Sequence, residues 1–328
     1  MVELSVKLEE ENSVECALFL HYFEVEVLSV EKEMSVNQRR VMMEKLFHGI
    51  FFTAASIAVV SVALIIIFIF SRGLQPFFPG NEFGNYNPIS FLTGLNWRPS
   101  FGTFGIGYMI VSSLLATLGA ILLGVPIALL TAVFLAEVAP KRLAAIIQPA
   151  VELLAAIPSV LYGVFGFAII APAVRNISPY STGNSLLAVI LVLSIMILPT
   201  IASICTTSIR AVPGYYREGS LALGASKIQT IFKVVIPSAK SGILTAIVLG
   251  VGRAIGETMA VILVAGNSEG GIPSSIFSII RPLTVNIALE MGYAAGMQQQ
   301  MLFSTAVVLI IFIIIINLVL SKIQKKAG

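Results

Sequence analysis

An arginine and a glutamate stand where an apolar run would place them inside a lipid bilayer. The stretch 241–265 contains Gly250-Val251-Gly252-Arg253-Ala254-Ile255-Gly256-Glu257-Thr258-Met259-Ala260-Val261. A guanidinium at the centre of a membrane helix costs roughly 2.5–3.5 kcal/mol on insertion scales, so Arg253 needs a compensating role. Glu257 is four residues on, and on one continuous helix the two side chains can pair. The order Arg before Glu is the weaker one for an isolated helix, so helix propensity explains the pair poorly. Two roles stay open. In one, the pair neutralises itself or ties this helix to a neighbour, with Gly252 and Gly256 as a GxxxG packing face. In the other, Arg253 lends positive potential to an anion path while Glu257 holds it and limits its grip, because conduction requires weak binding. Thr258 would add a hydroxyl to that path.

Few residues could do covalent chemistry. The chain has no aspartate, and its histidines are His21 and His48 alone. Cys16 and Cys205 are isolated, without metal-type spacing, and Cys205 in an apolar stretch reads as an inert thiol. No HExxH, EF-hand loop, Ser-His-Asp set or GxxxxGK[ST] phosphate loop is present. An enzyme working at the membrane surface would lack its nucleophile, base or metal. The chain is expected not to be an enzyme, to carry no metal site and to hold no cofactor. Any ATP-driven step would have to be performed by another chain.

A second constellation lies in a polar segment. Arg217-Glu218-Gly219-Ser220-Leu221-Ala222-Leu223-Gly224-Ala225-Ser226-Lys227 is followed by Val234-Val235-Ile236-Pro237. Small residues at 219, 220, 222 and 225 permit close backbone approach, and Gly224 permits a turn. Leu221 and Leu223 offer apolar knobs to a groove on a partner. The alternative is an ordinary solvated basic loop.

The elements that hold these residues follow from composition. Hydrophobic residues make up 57% of the 328 and charged ones 11%, against roughly 25% charged in a soluble domain. Six apolar stretches are long enough to cross a bilayer: 50–70, 106–136, 151–174, 185–209, 241–265 and 302–320. The second is long for one crossing, and Gly124-Val125-Pro126 is a place to bend it. Pro158 and Pro199 fall inside the third and fourth, where freed carbonyls need neighbours or water.

Lysine and arginine set the orientation. With the amino terminus inside, fifteen basic residues fall on inner segments, and Arg72, Arg98, Arg175 and Arg281 are the four outside. Both termini are therefore expected in the cytoplasm, and the net charge of +3 reflects topology, with no nucleic-acid partner. Residues 1–33 hold nine of the seventeen glutamates without a signal-peptide pattern. We read 1–45 as an acidic cytoplasmic extension of uncertain order, or partly as a start-site artefact, and 46–328 as the membrane domain with its cytoplasmic loop at 210–240. The outer stretches 71–105 and 266–301 are long. Trp97 and Tyr108 fit interfacial anchors, either loop could meet an external partner, and 274–297 has helical character that Pro282 interrupts.

The loop at 217–237 resembles the cytoplasmic EAA loop of ABC importer permeases, with Glu218, Gly224, Val234, Ile236 and Pro237 at the family's spacing and Gly219 and Ser220 replacing two alanines. Residues 252–261, Ala265-Gly266-Asn267, and 152–163 (Glu152-Leu153-Leu154-Ala155-Ala156-Ile157-Pro158-Ser159-Val160-Leu161-Tyr162-Gly163) are similar to the phosphate-specific branch. Within it, Met259-Ala260-Val261 and the long first outer loop look like the PstC type more than its paralogue. The resemblance covers about 45–320. It implies an all-α integral membrane protein of about six helices with the type I ABC importer permease fold. It also implies half of a phosphate pore in a prokaryotic inner membrane. The implied partners are a PstA-type permease, a PstB-type ATPase dimer holding ATP and magnesium, and an extracytoplasmic PstS-type phosphate-binding protein. Residues 218–225 and Pro237 would form the ATPase-docking element. A permease for another oxyanion, the PstA-type paralogue and a secondary transporter are the alternatives.

Overall fold

The computed structural model describes residues 40–41, 43–80, 84–180 and 182–327. The acidic segment 1–33, with Cys16 and His21, lies outside the described residues. The chain divides into two compact units, Met1–Ile67 and Phe68–Gly328. In the first, the described residues are helical, and the first span is already running at residue 43, inside the stretch read as extension.

Helices dominate, as the apolar runs require. The first span, α1, is Met43–Phe77, and its large apolar side chains are exposed, Phe51 at 71% among them, as lipid-facing residues should be. A short α2 (Pro88–Thr93) starts at Asn87, whose side chain accepts from the Ile89 amide. A small hairpin pairs β1 (Trp97–Arg98) with β2 (Thr103–Phe104), a strand pair that the all-helical expectation did not include. Then follow α3 (Gly107–Val138, its last turn π-helical at Phe134–Val138), α5 (Ser159–Ile177) and α6 (Leu186–Arg210), with α4 (Lys141–Ala156) between α3 and α5. On the cytoplasmic side are α7 (Gly214–Ala222) and α8 (Lys227–Ser238). The chain returns through α9 (Lys240–Gly256) and α10 (Met259–Val264), and ends with α11 (Leu283–Glu290) and α12 (Gly296–Ala327).

Five helices among the described residues are long and apolar enough to cross a membrane, and the pair α8 and α9, bent by 69°, makes a sixth if the two count as one broken span. Two of the spans expected from hydropathy differ in detail. The third begins at Ser159: α4 ends before Pro158, which precedes α5 rather than breaking a helix inside the bilayer. The Tyr162 hydroxyl donates to Leu154 O at 2.6 Å across that break, beside the Ile157 amide that donates to the same carbonyl at 3.3 Å. The fifth expected span, 241–265, is interrupted, since α9 stops at Gly256 and α10 starts at Met259. By contrast α3 stays continuous through Gly124-Val125-Pro126.

Helix packing centres on α6, which is mostly buried. Ala116, Ala120, Gly124, Ala128 and Ala132, one per turn, form a buried stripe on α3. A Cβ added at Gly124 would meet Ile197 Cδ1 of α6 at 2.9 Å, and one at Gly119 would meet Ile190 Cδ1 at 2.4 Å. Opposite, α9 offers Gly242, Ala246, Gly250 and Ala254. A Cβ at Gly250 would lie 2.5 Å from Ile201 Cδ1, and one at Gly242 2.2 Å from Ser208 Oγ. Lipid competes for apolar surface as well as protein does, so close backbone approach drives this packing. Gly252 and Gly256 are off this seam: both are exposed, with nothing of this chain within 4 Å of an added Cβ. The GxxxG pair is therefore not a packing face among the described residues, because Gly250 and Ala254, two residues earlier, are on the opposite side of α9.

The two outer stretches join into one cap. Trp97 N donates to Glu269 O at 2.9 Å and Gly271 N to Leu95 O at 2.9 Å. Trp97 and Tyr108 are not interfacial anchors. They are 1% and 0% exposed, within a cluster that includes Phe91, Phe104, Met109, Leu283 and Met301. The helix expected in 274–297 starts only after Pro282, as α11.

Candidate functional site

The charged residues of the fifth crossing sit at the break between α9 and α10. Arg253 is the fourteenth residue of α9, about 20 Å along the axis from Lys240 at 1.5 Å per residue, and so deep in the bilayer. Its side chain is half-buried, and Nη1 donates to Thr200 Oγ1 of α6 at 2.7 Å. Thr200 follows Pro199, which is buried inside α6.

Glu257 does not pair with Arg253. Ion pairs among the described residues are Arg217–Glu137 and Arg281–Glu290. Glu257 stands past the end of α9 with extended backbone (φ −71°, ψ 123°). Its carboxylate accepts from the Ala260 amide at 2.9 Å, satisfying one of the free donors at the start of α10. The i, i+4 geometry assumed a continuous helix, and the helix ends between the two residues. Thr258 Oγ1 donates to Gly256 O at 3.3 Å. Glu257 also lines a small cavity with Ser113, Thr117 and Thr284. The result is a polar break in the membrane with Arg253 on one side and Glu257, Thr258 and Thr284 on the other. Among the described residues, Arg253 has no carboxylate partner.

The polar constellation at 217–227 is helical over α7 and the start of α8. In α7 the side chains Tyr215, Glu218 and Leu221 are exposed, Leu223 just beyond it is 90% exposed, and none of α7 is buried. Tyr215 and Tyr216 stack at 4.7 Å. The side-chain hydrogen bond between the Tyr215 hydroxyl and Tyr216 raises the Tyr215 phenol above its ordinary value. Gly224 reverses the chain at φ +83°. Its amide donates to Leu221 O at 2.9 Å and the Ala225 amide to Ser220 O at 3.2 Å, closing the helix end as left-handed caps do. Ser220 Oγ lies 3.0 Å from Thr230 Oγ1, and Ser226 and Gln229 form a capping box at the start of α8. Gly219 has open space around it. Pro237 is exposed in the last turn of α8. Glu218, Gly219, Leu221, Leu223 and Gly224 thus form one open surface. Ser220 and Ala225 are half-buried behind it.

Two features had no sequence signal of their own. Thr200 is far from Arg253 in the chain, and Glu137 reaches Arg217 over a separation of eighty residues; only the α3–α6–α9 packing brings them together.

Comparison with known proteins adds the following. The family described as "Binding-protein-dependent transport system inner membrane component" matches residues 124–326. A probable ABC transporter permease protein, YqgH of Bacillus subtilis, is 38% identical over 89% of this chain and 96% of its own length. The phosphate transport system permease protein PstC of Pasteurella multocida is 34% identical over 73% of this chain and 82% of its own. Among solved structures, a bacterial ABC transporter involved in alginate import aligns with TM-score 0.58 at 16% identity, covering 84% of this chain and 96% of that one. The MetNI methionine ABC transporter in inward-facing form aligns with TM-score 0.50 at 21% identity, over 68% and 94%. The structural likeness concerns the fold alone.

Proposed function

Because this chain belongs to the family of binding-protein-dependent transport system inner membrane components, we propose that it is the PstC-type permease subunit of an ATP-driven phosphate importer. The observation that carries the anion reading is Arg253. It is a guanidinium deep in the membrane, held by a neutral hydroxyl rather than a carboxylate, and so able to offer its charge to an oxyanion. Relatives named as phosphate permeases, at 31–34% identity over most of the chain, support phosphate among the oxyanions.

In this reading the chain forms half of the pore in a prokaryotic cytoplasmic membrane. A homologous PstA-type permease supplies the other half, and an external PstS-type protein delivers phosphate. A PstB-type ATPase dimer, binding ATP and magnesium, docks on Glu218, Gly219, Ser220, Leu221, Leu223, Gly224 and Ala225, with Pro237 closing the segment behind them. Arg253, Glu257 and Thr258 line the path, and Arg253 attracts phosphate without holding it. The broken helix serves this purpose: irregular backbone at membrane depth is tolerated where it lines a polar cavity.

The test is uptake into proteoliposomes holding the complete complex and its binding protein. Phosphate should enter only with ATP inside, and sulfate should not compete. Uptake driven by an ion gradient without ATP would identify a secondary transporter instead, and competition by sulfate would move the assignment to another oxyanion.

A further inference from the structure

The docking helix α7 has no buried residue, yet one of its side chains is fastened to the membrane helices. Arg217 donates from Nε and Nη2 to Glu137 Oε1 at 3.0 and 2.5 Å. Its Nη2 also donates to Ile209 O at 2.9 Å, and its Nη1 to Val212 O at 2.5 Å. Glu137 belongs to the π-helical last turn of α3, and Ile209 to the last turn of α6. The free carbonyls at a helix C-terminus carry partial negative charge and favour a cation. One guanidinium therefore grips the end of α3, the end of α6 and the turn that leads into α7.

The arrangement suits the transfer of motion better than the supply of stability. The two side chains are 25% and 11% exposed, and pairs of this kind near water contribute little to folding. The planar fork, however, fixes direction as well as distance. A lysine could satisfy only part of this set, since its ammonium is a point charge on a flexible stem. The wide turn in α3 has a role too, because π-turns re-aim side chains and recur at functional sites. Beside it, Arg210 makes a second tie. Its Nη1 donates to Gln148 Oε1 of α4 at 2.5 Å and its Nη2 to Leu135 O of α3 at 3.1 Å. The helices so gripped, α3 and α6, share the small-residue seam of the core, and α6 carries Thr200, the partner of Arg253.

We propose that Arg217 and Glu137 are positioning residues for energy coupling. Their ion pair converts displacement of α7 by the cytoplasmic ATPase into displacement of the cytoplasmic ends of α3 and α6, and through Thr200 into a change at Arg253. The proposal rests on the reading of this chain as the permease of an ATP-driven phosphate importer.

The experiment measures ATP hydrolysis and phosphate uptake together in proteoliposomes of the complete complex, native and with Glu137→Gln, Arg217→Lys or both. Glu137→Gln keeps the side-chain shape and leaves the docking surface of α7 untouched. Each single variant should co-purify with the ATPase and hydrolyse ATP near the native rate. Each should import roughly fivefold less phosphate per ATP, the lower end of typical coupling factors. The double variant should be no worse than the more affected single, because both singles disrupt the same ion pair. Unchanged phosphate per ATP in the single variants overturns the proposal. So does loss of the ATPase from the Glu137→Gln complex, which would make the pair a folding contact. A native complex that imports no phosphate with ATP overturns the importer reading, and this proposal with it.

Discussion

At the scale of single residues, the central fact is that Arg253 and Glu257 have different partners. Four-residue spacing suggests one pair on one helix, but Arg253 is held by Thr200 at 2.7 Å and Glu257 by the Ala260 amide at 2.9 Å. A self-neutralised pair would leave no net field for an anion. Two separately held groups leave the positive charge of Arg253 uncancelled by contact. Replacing Arg253 by alanine in the complete complex should lower phosphate uptake roughly ten- to hundredfold, equivalent to the ~1.5–3 kcal/mol of a hydrogen bond to a charged group. Thr200→Val should lower it roughly fivefold by freeing the guanidinium, the equivalent of ~1 kcal/mol. The double variant should match Arg253→Ala alone, since Thr200 acts only through Arg253. Native uptake in Arg253→Ala would remove that residue from the path.

At the scale of elements, the proposed docking surface depends on how α7 ends. Gly224 has φ +83°, and an added Cβ would meet nothing within 4 Å, so the objection to a side chain there is backbone strain and not space. Gly224→Leu should cost about 1–2 kcal/mol at the turn and displace Leu223 from its exposed position. Pull-down of the complex from detergent should then recover less ATPase, while the permease itself still inserts. Undiminished recovery would show that the turn does not set the docking geometry. The helix itself was legible because small residues, Gly224 and the Val234–Pro237 segment lie close together in the chain. The break at Gly256–Thr258 was not. An apolar run looks the same whether one helix or two pass through it, and nothing in Glu257-Thr258 forbids helix outright. Proline misled in the opposite sense. Pro126 and Pro199 lie inside continuous helices, whereas Pro158 begins one.

At the scale of the whole molecule, a buried polar hub holds the outer cap together. Glu290 accepts from Arg281 Nη1 at 2.8 Å, from Trp97 Nε1 at 2.7 Å and from Gln298 Nε2 at 3.0 Å. Arg281 also donates to Asn286 Oδ1 at 3.1 Å and to Asn267 O at 3.2 Å. Arg281 and Glu290 are both less than a tenth exposed. Removing one member of such a pair strands the other charge away from water. Glu290→Ala should therefore destabilise the protein by about 3–5 kcal/mol, seen as a lowered thermal midpoint in detergent, and Glu290→Gln should lose less because it keeps an acceptor for Trp97. An unchanged midpoint in Glu290→Ala would mean that the cap is held by its apolar cluster alone. The hub also explains why Trp97 is not at a membrane interface: its indole N–H has a carboxylate partner inside the protein.

The sequence by itself determined the solvent and the fold class, and it carries the expectations of six crossings, of the orientation and of a docking loop. Each of these depends on composition or on residues near one another in the chain: apolar run length against bilayer thickness, the bias of basic residues between the two sides, and small residues with Gly224 within one short segment. Tertiary structure decided what each charge touches. Arg253 met Thr200, Arg217 met Glu137, and Glu290 met Trp97 because α3, α6 and α9 pack through alanine and glycine seams and because the two outer loops fold into one cap. Partner choice across 53, 80 and 193 residues of chain is set by packing, which one-dimensional spacing does not encode.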